Sequence, residues 1–369
     1  MKDWSPQQTN ALEKVADWHK NSNAQVFRVF GYAGTGKTTL ARHFASEIEG
    51  KVLFAAYTGK AAIVMRKSGC RGASTIHSLI YETIEDEITG DISFELNENG
   101  PIKNAELIII DECSMVDEGI GRDLLSFGVP VLVLGDPAQL PPVKGGGYFT
   151  NHEPDIMLTE IHRQAEGNPI VKLATDVREG RSLDYGQYGE SLVIHKSEIN
   201  SSMVLGADQV LVGKNVTRSM YNARIRELIG YENVFPVIGD RLVCLKNDHT
   251  AKIFNGGLFS VTSVKTHMKT VYPGFITLTI SSEDFPGRKE VEVRVKEEFF
   301  MGNIDKVDWR ELRGTQHFDY GYALTVHKSQ GSQWPDVMLF DESRAFRDDW
   351  QRWLYTGITR ASERITIVR

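Results

Sequence analysis

The stretch VFRVFGYAGTGKTTLARHFASEI, from Val26 to Ile48, decides the predicted fold. It begins with a short apolar run typical of a buried strand, continues through a glycine-rich turn, and ends with apolar residues at helical spacing. The turn itself, GYAGTGKT from Gly31 to Thr38, matches the pattern G-x-x-x-x-G-K-[ST] in full and in the strand-to-helix setting that the pattern requires. Such turns curl backbone N–H groups around phosphate oxygens, and a merely structural glycine-rich turn is the alternative.

Similar units follow this stretch along the chain. KVLFAAYT has the character of a strand and KAAIVMRKS that of a helix, and AELIIIDE and PVLVLGDP are apolar runs that each reach an Asp. Alternating strands and helices predict the α/β class, with parallel sheets flanked by helices. Functional groups in such sheets lie just beyond the carboxyl ends of the strands.

Composition limits the remaining classes. A chain of 369 residues suits two or three domains. It has no apolar run long enough to span a bilayer, no signal-peptide core, and only three cysteines without CxxC spacing. We therefore expect a soluble, cytoplasmic protein without a membrane partner, a disulfide framework or a zinc site. The net charge of −7 argues weakly against nucleic-acid binding, unless the basic residues are confined to one groove.

The glycine-rich turn predicts ATP and Mg²⁺ as cofactors. Lys37 would reach the β- and γ-phosphates, and the Thr38 hydroxyl would ligate the ion. Asp111 would assist at the metal, and Glu112 would orient and deprotonate water, although both could simply end a solvated strand. The predicted nucleotide-binding set also includes the neighbours of Lys37 and Thr38 in the turn and helix, which are Gly34, Thr35, Gly36 and Thr39.

Three further residues are candidates for phosphate chemistry. Gln139, in GDPAQLPPV, could sense the γ-phosphate, and a plain turn glutamine is the alternative. Arg163, in LTEIHRQ, and Arg360, in YTGITRA, could each act as an arginine finger that stabilises charge on the transferred phosphoryl group. A surface ion pair is the alternative for either arginine.

Two segments break the α/β pattern. Glu82 to Ile102 contains TGD between two short strand-like runs, which predicts an acidic hairpin. Gly239 to Met301 contains four strand-like runs separated by turn signals, which predicts a small antiparallel barrel.

Taken together, these stretches resemble the superfamily-one DNA helicases, in particular the 5′-to-3′ subgroup that includes RecD and Dda. The resemblance rests on nine motifs in the same order along nearly the whole chain: SPQQTNA, GYAGTGKT, YTGKAA, STIHSL, DECSM, GDPAQLPPV, LTEIHRQ, YALTVHKSQGSQW and YTGITRA.

The resemblance implies roles for residues within these motifs. Gln8 would read adenine, with the adjacent Gln7 as the alternative, and Gly331 would face the nucleotide. Phe94 would act as a strand-separating wedge on the hairpin, or would pack the hairpin onto its own domain. The implied strand contacts are Thr58, Lys60, Thr75, His77, Thr325, His327 and Lys328, for which core histidines and solvated lysines are the alternatives.

The resemblance also implies a domain plan and an activity. Two RecA-like motor domains would comprise residues 1–155, with a pin at about 82–102, and residues 156–238 with 316–369, while residues 239–315 would form an SH3-like insert. The chain would act as a monomer, move 5′-to-3′ on single-stranded DNA with ATP, and unwind forked or tailed duplexes. An RNA helicase or ribonucleoprotein remodeller, and a non-motor protein that uses ATP as a switch, are the alternatives.

Overall fold

The computed structural model describes residues 4–85, 92–141, 147–160, 167–248, 251, 253–265 and 274–369. Its contacts divide the chain into two compact units. The first unit comprises Met1–Leu183, Gly331–Gln333 and Asp348–Thr359, and the second comprises Asp184–Gln330, Trp334–Arg347 and Arg360–Arg369. Residues 156–160 and 167–183, which were predicted to belong to the second motor domain, thus lie in the first unit.

The first unit contains seven of the helices in the described part of the chain and eight of the strands. The helices are α1 Pro6–Asn21, α2 Lys37–Ser46, α3 Gly59–Lys67, α4 Ile76–Ile80, α5 Glu118–Leu125, α6 Pro169–Arg178 and α10 Trp350–Ile358. The strands are β1 Val26–Gly31, β2 Val52–Ala56, β3 Ser74–Thr75, β4 Tyr81–Glu85, β5 Ile92–Leu96, β6 Leu107–Asp111, β7 Val131–Gly135 and β8 Ile156–Leu158.

Six of these strands form a parallel sheet in the order β3-β2-β6-β7-β1-β8. Both faces of this sheet are buried. In β6, Leu107 and Ile109 pack in one apolar cluster with α1 and α2, whereas Ile108 and Ile110 pack in the other with α4 and α5. Burial on both faces explains why these strands are continuous apolar runs in the sequence. The predicted α/β class is confirmed.

The second unit contains the other helices and strands of the described residues. The helices are α7 Ser201–Gly206, α8 Asn215–Ile229 and α9 Glu298–Met301. The strands are β9 Gly186–Tyr188, β10 Ser191–Ile194, β11 Gln209–Val212, β12 Arg241–Cys244, β13 Leu258–Lys265, β14 Phe275–Ser282, β15 Val291–Lys296, β16 Phe318–Tyr320, β17 Ala323–Thr325, β18 Trp334–Phe340 and β19 Ala361–Val368.

Two sheets organise the second unit. One has the order β17-β11-β18-β19-β10-β9 and is parallel except for the edge pair of β9 and β10. The other is fully antiparallel, in the order β15-β14-β13-β12-β16, and encloses its own apolar core. The four strands predicted in this segment are therefore present, and a fifth strand, Phe318–Tyr320, extends the sheet beyond the predicted limit at residue 315.

The acidic segment of the first unit contributes an antiparallel pair, β4 with β5, in which Thr83 lies opposite Phe94. The TGD turn predicted to join them lies outside the described residues. All three cysteines are buried as free thiols. Within the described ranges, no helix is both long and apolar enough to cross a membrane.

Candidate active site and nucleic-acid interface

The glycine-rich turn joins the end of β1 to the start of α2. Gly34 and Gly36 both have φ of +81°, in the left-handed region that side chains with a Cβ rarely adopt. A Cβ at Gly36 would also lie 2.9 Å from the Gln8 amide nitrogen. Thr35 is buried, and its hydroxyl donates to the Tyr32 carbonyl over 2.8 Å. The turn therefore leads directly into a helix N-terminus, where backbone N–H groups and the helix dipole favour an anion.

Three polar side chains, those of Lys37, Thr38 and Asp111, form hydrogen bonds in this turn or beside it. The Lys37 ammonium donates to the carbonyls of Gly31 and Tyr32 over 2.6 and 3.1 Å. The Thr38 hydroxyl donates to Asp111 Oδ2 over 2.7 Å. Asp111 ends β6, so the parallel sheet brings it to the same edge as the turn after β1. Hydroxyl and carboxylate oxygens are the hard donors that Mg²⁺ prefers, so Thr38 and Asp111 fit the predicted ion.

Glu112 has an unusual backbone. It follows β6 with φ of 54° and ψ of 43°, in the left-handed region, and its N–H donates to Asp111 Oδ1 over 2.9 Å. For a residue other than glycine, such a conformation costs roughly 1–3 kcal/mol, and strain of this kind is concentrated at functional sites. The strain therefore supports a functional role for the Glu112 carboxylate.

Gln139 lies in the loop after β7. Asp136 orders this loop, since its carboxylate accepts from Ala138 N over 3.0 Å and its carbonyl accepts from Gln139 N over 3.2 Å. The Gln139 side chain is 8% exposed, and its buried Oε1 has no hydrogen-bond partner among the described residues. A buried unsatisfied acceptor costs about 1–3 kcal/mol, so its presence indicates a group held for a ligand or a water.

The two candidate adenine-reading glutamines have different surroundings. Gln8 is buried, accepts from Ser5 N in a capping box that begins α1, and donates to the Thr35 carbonyl over 3.0 Å. Gln7 instead accepts from the N–H groups of Thr159 and Glu160. Gln8 thus fixes the start of α1 against the glycine-rich turn, whereas Gln7 connects α1 to the segment after β8.

A further group of residues, not predicted from the sequence, contacts the turn. The Tyr355 hydroxyl accepts from Ala33 N over 2.9 Å and donates to Asp136 Oδ2 over 2.7 Å. The Arg178 guanidinium lies 3.6 Å from the centroid of the Tyr32 ring. A cavity of about 260 Å³ lies among them, lined by Tyr32, Pro137, Ala138, Arg178, Gln351, Arg352 and Tyr355. Tyr355 and Asp136 do belong to the motifs YTGITRA and GDPAQLPPV, but no residue-type rule selects them.

The strand-contacting threonines predicted in the first unit both cap helices. Thr58 Oγ1 accepts from Ala61 N at the start of α3, and Thr75 Oγ1 accepts from Ser78 N at the start of α4. Lys60 is buried in the first turn of α3. Gly331 is placed beside the same helix, since a Cβ there would lie 2.9 Å from Thr58 Oγ1. Gly331, which was predicted to face the nucleotide, thus lies next to Thr58, which was predicted to contact the strand.

His77 and Phe94 are brought together. Their ring centroids lie 4.5 Å apart at an interplanar angle of 86°, and the His77 ring also contacts the Tyr81 ring at 4.6 Å. Phe94 remains 50% exposed. One part of the Phe94 ring therefore packs on its own unit, while the remainder is accessible to solvent.

In the second unit, the predicted strand contacts lie at the end of β17 and just after it. Thr325 Oγ1 accepts from Lys328 N over 3.2 Å, and the His327 ring lies 5.3 Å from that of Phe346. The Lys328 ammonium donates to Asn255, in the turn before β13, over 2.7 Å. Burial lowers the pKa of Lys328, and the nearby Arg218 lowers it further, against opposite contributions from Cys244 and Asp319.

Of the two predicted arginine fingers, only Arg360 lies within the described residues. Arg360 is 4% exposed, directly precedes β19, and accepts from Trp334 N through its carbonyl over 2.9 Å. Arg163 lies outside the described residues. The roles of both arginines stay predictions.

Two family models match the chain. A family model described as AAA domain matches residues 3–198, more than half of the chain, and one described as UvrD-like helicase C-terminal domain matches residues 320–368. The ATP-dependent RecD2 DNA helicase of Deinococcus radiodurans is 28% identical over 390 residues, which cover 98% of this chain and 48% of the relative. The chain therefore spans about half the length of that curated relative.

Two solved structures share the fold. The Pif1 helicase from Bacteroides in complex with ADP-AlF3 and ssDNA has a TM-score of 0.60 at 19% identity, and the alignment covers 99% of this chain and 92% of that one. The Pif1 helicase from Candida albicans has a TM-score of 0.57 at 19% identity, covering 100% and 95%. The chain thus belongs to the AAA-domain family, the predicted resemblance to the RecD-like helicases is confirmed by its similarity to RecD2, and its fold is similar to that of the Pif1 helicases.

Proposed function

We propose that this protein is an ATP-dependent DNA helicase that moves 5′-to-3′ along single-stranded DNA and unwinds forked or tailed duplexes. The observation that carries the proposal is the hydrogen bond between Thr38 and Asp111 beside the glycine-rich turn, with Glu112 next in the chain. This arrangement supports hydrolysis of a nucleotide rather than storage of a phosphate. DNA as the substrate is supported by the similarity to the RecD2 DNA helicase, and the direction of movement by the resemblance of the sequence motifs to the 5′-to-3′ subgroup.

The chemistry of the first unit follows from its own side chains. Thr38 and Asp111 would hold Mg²⁺, which neutralises charge on the β- and γ-phosphate oxygens. Lys37 would leave the Gly31 and Tyr32 carbonyls for the phosphates, and the Glu112 carboxylate would accept a proton from the attacking water. The unsatisfied Gln139 Oε1 offers an acceptor that could hold this water.

The strand contacts would act through backbone as well as side chains. Because the Thr58 hydroxyl is already used in a cap, it shapes the N-terminus of α3, whose N–H groups favour a DNA phosphate. Lys328 would supply a positive charge from the second unit. Few such contacts are needed in a chain with a net charge of −7, so we expect a shallow dependence of strand binding on salt.

The resemblance to the helicase subgroup also suggests roles for the acidic hairpin and for the antiparallel sheet. We propose that β4 and β5 form a pin, with the exposed part of the Phe94 ring stacking on the last base pair. The antiparallel sheet from β12 to β16 would be the SH3-like insert of this subgroup. The two motor domains, monomeric action and a cytoplasmic location complete the proposal.

ATP hydrolysis in the presence of different strands tests this function. We expect single-stranded DNA to stimulate hydrolysis well above the basal rate and above the rate with RNA of the same sequence. Lys37→Ala should abolish both the basal and the DNA-stimulated hydrolysis. Equal stimulation by RNA would favour an RNA helicase or ribonucleoprotein remodeller. A rate that no strand changes would favour a non-motor protein that uses ATP as a switch.

A further inference from the structure

We infer that Tyr355 is a positioning residue for ATP hydrolysis, whose hydroxyl fixes the glycine-rich turn to the loop that carries Gln139. The inference rests on the proposed role of Gly31 to Thr38 as the ATP site. It concerns a side chain whose hydroxyl forms hydrogen bonds to two of the segments that carry the proposed chemistry.

The Tyr355 hydroxyl both accepts and donates a hydrogen bond. It accepts the N–H of Ala33, within the glycine-rich turn, and donates to the carboxylate of Asp136, which begins the Gln139 loop. The residue is 1% exposed, so water cannot replace either bond at low cost. Burial, together with the charge of Asp136, raises the pKa of Tyr355, and the hydroxyl therefore keeps the proton that it donates.

A second bond from the same helix reinforces this arrangement. Thr356, the next residue of α10, is fully buried, and its hydroxyl accepts from Leu140 N over 2.9 Å. Leu140 directly follows Gln139. Helix α10 thus holds the Gln139 loop at both ends, at Asp136 and at Leu140, while it also holds the turn at Ala33.

The arrangement has a direct consequence for catalysis. Groups that stabilise a transition state act best when they are already in place, because movement during the reaction costs free energy. A displaced turn or loop would change the positions of the phosphate-binding N–H groups and of Gln139 relative to each other. Tyr355→Phe removes the hydroxyl alone, so it should slow turnover more than it weakens nucleotide binding.

The second unit supplies a matched control. The Tyr322 hydroxyl also accepts one backbone N–H, that of Arg241 over 3.1 Å, and donates to one carboxylate, that of Asp240 over 3.0 Å. Tyr322→Phe therefore removes the same chemical contacts at a place with no predicted part in ATP chemistry. Any general effect of losing a tyrosine hydroxyl should appear in both variants.

The test measures ATP hydrolysis at saturating single-stranded DNA and, separately, the affinity for a fluorescent ADP analogue. For Tyr355→Phe we expect kcat to fall by about 10- to 100-fold, the range found for groups that orient metal ligands, with nucleotide affinity changed by less than about threefold. Tyr322→Phe should keep kcat within about twofold. Asp136→Asn should also lower kcat, and the two effects should be less than additive, because both variants alter the hydrogen bond between Tyr355 and Asp136.

Two outcomes would overturn the inference. One is a kcat for Tyr355→Phe within about twofold of the unmodified protein, and the other is an equal loss in Tyr322→Phe, which would indicate general destabilisation. Failure of the underlying ATP site is distinguishable, because Lys37→Ala would then hydrolyse ATP at the unmodified rate.

Discussion

Replacing Asp240 by Ala should destabilise the second unit strongly. Asp240 is fully buried and accepts four hydrogen bonds. Two come from Arg226, through Nε and Nη2 at 2.9 Å each, one from Val237 N at 2.8 Å, and one from the Tyr322 hydroxyl at 3.0 Å. This cluster connects α8 to the loop before β12 and to the chain between β16 and β17.

The size of the effect follows from what the substitution leaves behind. Arg226 would keep its bonds to the carbonyls of Asn233 and Phe235 and its position 4.2 Å from the centroid of the Tyr320 ring. Its guanidinium, on a residue 5% exposed, would lose its carboxylate partner. Removing one member of a buried ion pair costs about 3–5 kcal/mol, because the other charge remains desolvated. We expect a loss in this range for Asp240→Ala.

Urea unfolding followed by circular dichroism measures this loss, with Glu227→Ala as the control. Glu227 pairs with Arg224 on the same helix over 2.8 Å, but the two side chains are 60% and 66% exposed. An exposed pair contributes about 0–1 kcal/mol, so the control should shift the transition little. A loss below about 1 kcal/mol in Asp240→Ala, or equal losses in both variants, would refute the argument from burial.

Three further predictions concern the proposed sites. Glu112→Gln should lower kcat for ATP hydrolysis by roughly 10²- to 10⁴-fold while nucleotide and DNA still bind, since the amide keeps the shape and loses the base; near-normal turnover would contradict this. The affinity for single-stranded DNA, measured by anisotropy titration, should fall as pH rises from neutral to about 10. Lys328, whose pKa is lowered, loses its charge in this range, and only the charged form binds phosphate. Lys328→Arg should abolish this pH dependence. Phe94→Ala should slow duplex unwinding but leave translocation on single strands unchanged. The control Ile84→Ala, on the same pair of strands and 39% exposed, should change neither rate. Unwinding at the unmodified rate by a stable Phe94→Ala protein would exclude the wedge.

The sequence predicts the parallel sheet of the first unit and part of its site for a simple physical reason. A strand buried on both faces is a continuous apolar run, and the carboxyl ends of parallel strands meet at one edge. The turn after Gly31 and the acid at Asp111 therefore had to lie close together, and their contact through Thr38 follows from local patterns.

Other features depend on packing between distant segments, which local patterns do not specify. Tyr355 and Asp136 are 219 residues apart, and their hydrogen bond forms because α10 belongs to the first unit, where it also packs against α6. The same packing explains why residues up to 183 join that unit. The location of Gly331 beside Thr58 is likewise a long-range contact. For the adjacent glutamines, by contrast, the pattern Ser5-x-x-Gln8 is a capping-box signal that predicts from the sequence the cap that Gln8 forms at the start of α1.

The unwinding of forked duplexes that carry either a 5′ or a 3′ single-stranded tail tests the proposed function most directly. Strand release from fluorescently labelled forks, with ATP and Mg²⁺, reports activity, substrate and direction together. We predict release from the 5′-tailed duplex, little from the 3′-tailed duplex, and none with Glu112→Gln. Preferential release from the 3′ tail would contradict the direction, and no release from either duplex, in a protein whose ATP hydrolysis DNA stimulates, would contradict the helicase function itself.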